Sequence, residues 1–168
     1  MTKYFLVVGR IVGPKGVDLA MQAANKLGVD LKVVGEHAGM QLEKEKLEKL
    51  KSSYTEFLGR VSDEELKNLY AHATAFLALG RDEDFGITPV EAQACGTPVV
   101  AYASGGYLET VVEGKTGTFF REYKAQALSE AMKRVQRMKF KKEDLRKQAE
   151  KFSKEKFRDE IKSLVDRV

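Results

Sequence analysis

The chain is short of the residues that staple or anchor unusual folds. It has a single cysteine, Cys95, so no internal disulfide can form and a cysteine-rich zinc site is excluded. It has two histidines, His37 and His72, far apart in sequence. No apolar run is long enough to cross a bilayer, and the Phe5–Val8 stretch is too short for the core of a secretory signal. A reducing, cytoplasmic setting is the expectation. What is present is an ordinary globular composition: 168 residues, 43% hydrophobic and 32% charged. That is the size of one domain with a full core.

The net charge of +4 is unevenly spread. Residues 1–123 carry an acidic excess, and residues 124–168 a basic one. A basic tail can meet nucleic acid or the anionic face of a membrane, but a solvated helix face is the plainer reading. The tail lacks aromatic–basic interleaving and any nucleic-acid module, so nucleic acid is not an expected partner. The Lys/Glu-rich charge hints at a thermophilic source.

Strand and helix patterns alternate along the chain. Strands are expected at Tyr4–Val8, Leu31–Val34, Thr55–Leu58, Thr74–Leu79, Pro98–Tyr102 and Thr116–Phe120. Between the first two, Val17, Ala20, Met21, Ala24 and Leu27 recur at helical spacing and Gly28 closes the helix. A charged helix is expected over 42–51. Ser62-Asp63-Glu64-Glu65 opens another with a capping box. The C-terminus is helical, with Phe157, Ile161, Leu164 and Val168 forming a stripe. This rhythm predicts an α/β fold: one Rossmann-like, doubly wound parallel sheet in a single domain. Such sheets bind ligands beyond the carboxyl ends of their strands, which directs attention to the loops there.

The loop after the first strand is Gly9-Arg10-Ile11-Val12-Gly13-Pro14-Lys15-Gly16. A helix start offers unpaired N–H groups to phosphate, and Arg10 and Lys15 add two cations. It is neither a Walker loop nor a dinucleotide fingerprint, and an ordinary glycine turn reads about as well. The loop after the fourth strand, Gly80 to Glu91, places Glu83 and Glu91 on either side of Phe85-Gly86-Ile87-Thr88. Those backbone amides can face an anion, and the carboxylates can accept hydrogen bonds from sugar hydroxyls. Thr88-Pro89-Val90-Glu91 also reads as a capping box, with Thr88 as N-cap, which would occupy Glu91 structurally. Asp82-Glu83-Asp84 matches a short metal-binding pattern that carries little weight, and no metal site is expected. Gly105-Gly106 implies close backbone approach to a ligand or to another domain. Cys95 reads as core. His37 sits after the second strand, near the ligand side, and His72 at a helix end.

Taken together, Gly9-Arg10, Lys15-Gly16, the run Glu83 to Ala92, Ala94 to Ala101, Gly105-Gly106, Glu113 to Gly117 and Lys151-Phe152-Ser153 resemble the donor domain of family 4 retaining glycosyltransferases with the GT-B fold. The resemblance covers nearly the whole chain. It implies that Arg10 and Lys15 hold the donor diphosphate, with Gly9 beside them. It implies that Arg60 and Val61 contact the base, that Glu91 binds the ribose and that Glu83 lies near the transferred sugar. The backbone of Phe85, Gly86, Ile87 and Thr88 would meet sugar and phosphate. Glu83, Arg10 and Lys15 are the implied catalytic set, without a metal or other cofactor; the donor is a GDP-sugar or UDP-sugar. The Glu83–Ala92 variant looks like mannosyltransferases of O-antigen and capsule assembly. Family members carry an N-terminal acceptor domain, which this chain is expected to lack. It would then be an excised piece or a stand-alone module, inactive alone, its parent enzyme resting peripherally on a membrane. A non-catalytic nucleotide-binding module and a related phosphorylase or epimerase stay open as alternatives.

Overall fold

The computed structural model describes residues 3–38, 41–81 and 83–165. Six strands form one sheet in the order β3-β2-β1-β4-β5-β6, and every pairing is parallel. They are β1 (Tyr4–Val8), β2 (Asp30–Val34), β3 (Thr55–Gly59), β4 (Ala75–Ala78), β5 (Val99–Tyr102) and β6 (Gly117–Phe120). This is the doubly wound order with its reversal between β1 and β4. All six expected strands form, and their ends fall within a residue of the expected ones.

The central strands β1, β4 and β5 are short and apolar because both their faces are covered, whereas the edge strand β3 carries Glu56 and is only partly buried. In β1, Phe5 and Val7 point into one core layer and Tyr4 and Leu6 into the other. The first layer is closed by α1 (Val17–Leu27), α2 (Gln41–Leu50) and α6 (Ala125–Arg137). The second is closed by α3 (Asp63–His72), α4 (Ile87–Ala94) and α5 (Tyr107–Thr110), with α7 (Lys142–Glu150) packed on α4. Gly28 ends α1 in the left-handed conformation, donating to the Ala24 carbonyl, as its position predicts.

The capping box of α3 forms as read. Ser62 accepts from the Glu65 amide at 3.3 Å, and the Glu65 carboxylate accepts from the Ser62 amide at 2.9 Å. Ser62→Ala is expected to lower stability by about 1 kcal/mol, measured by urea unfolding; an unchanged midpoint would mean the cap contributes nothing.

The C-terminal helix α8 (Lys154–Val165) turns Phe157, Ile161 and Val165 to solvent. Of the expected stripe, the Leu164 side chain and Val168 lie outside the described residues. No described helix is long and apolar enough to cross a membrane.

Candidate functional site

Beyond the carboxyl ends of β1 and β4 the chain passes to helices on opposite faces of the sheet, and a cleft of about 220 Å³ opens at this reversal of strand order. Gly9, Arg10 and Lys15 line it from the β1 side, and Gly80, Glu83, Ile87 and Thr88 from the β4 side. Tyr107 completes the wall. The two loops singled out in sequence therefore share one cavity, and it sits where doubly wound sheets bind ligands.

The cleft holds opposed charges. Lys15 Nζ donates to Glu83 Oε2 at 2.5 Å, across 68 residues of sequence. Both side chains are partly buried, so the pair is less screened than a surface pair. Arg10 is exposed and forms no ion pair among the described residues. It can reach an incoming anion.

Helix α4 begins differently from the sequence reading. Gly86, at φ 76°, is the N-cap, and no side chain caps the helix. Thr88 is its second residue rather than its cap, and the expected capping box with Glu91 does not form. Ile87 and Thr88 keep amides that no turn of helix can satisfy, and both residues line the cleft. A helix start left open in this way favours an anion. Glu91 is engaged elsewhere: Tyr70 Oη donates to its Oε2 at 3.1 Å. Burial, with Glu91 adding to it, raises the pKa of Tyr70 and keeps it a donor.

The second helix start does not open on the same cleft. The turn Gly13–Lys15 is a short 3-10 segment that carries the chain sideways before α1. The first residues of α1, Val17 and Asp18, line a neighbouring hollow of about 430 Å³ with Glu43, Lys46, Arg81 and Tyr123. That hollow is larger, and most of its charge is already engaged: Lys46 bridges Asp18, Glu43 accepts from the Gly13 amide at 3.2 Å, and the Arg81 guanidinium lies over the Tyr123 ring at 5.2 Å. The smaller cleft carries the exposed Arg10 and the open helix start, and it is the better anion site.

The remaining predicted residues do not line the cleft. Arg60 is exposed just after β3, and Val61 packs into the layer that also holds Tyr70 and α4. Phe85 turns away and meets Phe152 edge-on at 5.4 Å between ring centres. Gly86 is buried against the Tyr107 ring. Asp82, one end of the Asp-x-Asp pattern, lies outside the described residues. His37 contacts Phe57 rather than the cleft, and the His72 ring pairs with the Asn68 carbonyl at 2.8 Å. Cys95 is half-buried against the second core layer, where burial and then Glu91 raise its pKa, the setting of an inert thiol.

Gly105-Gly106 makes its close approach within the domain itself. A side chain at Gly105 would strike the Glu83 carbonyl, and one at Gly106 would sit 2.5 Å from Phe85 Cα. The Gly106 amide donates to the Glu83 carbonyl at 2.9 Å. The glycine pair is the bed on which the Glu83 loop lies. Tyr107, Tyr123 and Tyr70 escape the sequence reading, because nothing in their local sequence marks a tyrosine that supports a distant loop.

The fold and cleft define a Rossmann-like domain with a charged cleft at its switch point. The family model "Glycosyl transferases group 1" matches residues 1–152, and the chain belongs to that family. It is 39% identical over 122 residues to a D-inositol 3-phosphate glycosyltransferase of Mycolicibacterium smegmatis, covering 68% of this chain and 28% of that protein. It is 34% identical over 136 residues to the lipopolysaccharide core biosynthesis mannosyltransferase LpcC of Rhizobium leguminosarum, covering 74% of this chain and 38% of that protein. Among solved structures, sucrose-phosphate synthase from Thermosynechococcus elongatus superposes with a TM-score of 0.85 at 26% identity, over 99% of this chain and 45% of that one. The Anabaena HepE protein in complex with UDP superposes equally well, at 0.85 and 21% identity, over 99% of this chain and 49% of that one, and shares the fold. The chain spans about a third of the length of these curated relatives.

Proposed function

We propose that this domain binds the nucleotide-sugar donor of a retaining hexosyltransferase. The observation that carries the reading is the single cleft shared by Arg10, Lys15, Glu83 and the open start of α4. A diphosphate placed there would face two cations and two backbone amides. When the sugar–oxygen bond breaks, the leaving diphosphate gains charge, and groups already aimed at it lower the barrier without a metal ion. Glu83, paired with Lys15 in the cleft, would accept from hydroxyls of the transferred sugar. Glu91, Arg60 and Val61 would hold the nucleoside on the α3–α4 side. The 34% identity to a mannosyltransferase supports mannose as the hexose, and GDP is the carrier proposed with it. In this reading a separate acceptor domain completes the enzyme. This domain alone binds donor and does not turn it over, because aligning the acceptor supplies much of the rate.

Titrating GDP and UDP into the chain by calorimetry tests the reading. Binding of at least one, with Arg10→Ala weakening the diphosphate about tenfold and the nucleoside monophosphate less, is the expected result. GDP binding tighter than UDP would favour mannose. Absence of heat for both at millimolar concentrations would remove the proposal.

A further inference from the structure

The peptide unit between Leu79 and Gly80 is the point where β4 ends and the Glu83 loop begins. Both of its polar atoms are held by tyrosine hydroxyls. Tyr123 Oη donates to the Leu79 carbonyl at 2.8 Å, and Tyr107 Oη accepts from the Gly80 amide at 3.2 Å. The two rings come from opposite faces of the sheet: Tyr123 packs against the layer of α1 and α6, Tyr107 belongs to that of α3 and α4. One peptide plane is thus gripped from both sides.

The grip reaches past that peptide. Gly86, at the far end of the loop, lies so close to the Tyr107 ring that a Cβ there would sit 2.7 Å from Cε1. Tyr107 therefore touches both ends of the loop 80–86. Tyr123 abuts Gly16, the start of α1, and lies under the Arg81 guanidinium at 5.2 Å. A carbonyl and an amide at a strand end would otherwise be left to water or go unpaired, at a cost for each buried group.

We propose that Tyr107 and Tyr123 are positioning residues that clamp the Leu79–Gly80 peptide and thereby aim the Glu83 loop and the start of α4 at a bound donor sugar. The proposal rests on the donor reading above. Neither tyrosine needs to touch the donor for this role. Burial pushes Tyr123 up to about 12, and burial together with Glu83 raises Tyr107 as well. Both stay protonated at neutral pH, so the clamp is permanent and not a pH switch.

Tyr107→Phe and Tyr123→Phe keep the rings and remove only the hydroxyls, so one of the two is expected to fold even if the other does not. Amide hydrogen exchange followed by mass spectrometry reads the clamp without any ligand. In either variant the stretch 79–88 is expected to exchange at least about tenfold faster, with β1, β2 and β5 unchanged. Calorimetry reads the consequence. The preference for a nucleotide sugar over its bare nucleoside diphosphate is expected to fall at least about fivefold in Tyr107→Phe, a change that a general loss of stability would not produce. Unchanged exchange at 79–88, or acceleration spread evenly over the sheet, overturns the clamp. Faster local exchange with an unchanged sugar preference overturns its role in aiming the loop. A wild-type chain that binds neither GDP nor UDP overturns the donor reading, while the exchange result still decides the clamp.

Discussion

Lys15→Ala is expected to weaken binding of a nucleoside diphosphate by about 10- to 100-fold, whereas Glu83→Gln is expected to tighten it by about threefold to tenfold. The two signs follow from one contact. Within the cleft Lys15 Nζ is already paired with Glu83 at 2.5 Å. A diphosphate must draw the ammonium away from that carboxylate, so part of the lysine's attraction is lost before it is gained. The pair is about a quarter to a third exposed, so the amount withheld is modest. Glu83→Gln removes the competitor and a like charge near the incoming phosphate. The same change replaces a charged two-oxygen acceptor proposed for the sugar with a single neutral amide oxygen, so a nucleotide sugar should gain less than the bare diphosphate, or lose. Calorimetry with diphosphate and sugar nucleotide on both variants checks this at low and high salt, and the lysine effect should shrink as salt rises. A Glu83→Gln variant that binds diphosphate more weakly than wild type would show that Glu83 does not compete for Lys15.

Gly35→Ala is expected to cost about 3 kcal/mol of stability, or a fall in melting temperature of roughly 6–12 °C for a chain of this size. Gly35 follows β2 with φ 138°, a conformation that side chains rarely adopt. A Cβ there would run into the Gly9 carbonyl, a backbone atom at the end of β1 with no room to yield. Gly9 itself donates to the Val34 carbonyl at 3.0 Å, so the strain lands on the turn that carries Arg10. Gly59 is the natural control. Its φ is 65°, but nothing lies within 4 Å of the place a methyl group would take, so Gly59→Ala should cost only about 1 kcal/mol. Thermal melts of the two variants decide it. Equal melting temperatures would mean the close approach of β1 and β2 is readily relaxed.

The fold is largely legible in the sequence. Short strand-like runs, apolar in the centre of the sheet and separated by helical repeats, have few arrangements open to them once both faces need cover. Gly28 and Ser62 mark helix ends through local chemistry, and local chemistry is what a sequence displays. The start of α4 misleads for the same reason. Thr88 and Glu91 have the spacing of a capping box, but the buried Tyr107 ring leaves room only for a glycine at 86, and the helix begins there instead. Gly105-Gly106 announces a close approach. Its partner, the Glu83 loop more than 20 residues away, is invisible until the chain is folded.

The alternation of elements, the doubly wound class and the two charged loops are all written locally along the chain, because strand and helix periodicity and glycine positions act over a few residues. Folding in three dimensions was needed to show that Lys15 meets Glu83, that Tyr70 holds Glu91, that α1 opens on a different hollow from α4, and that two tyrosines grip one peptide. Those contacts join residues 21 to 68 positions apart, and their geometry is set by how the two core layers pack against the sheet.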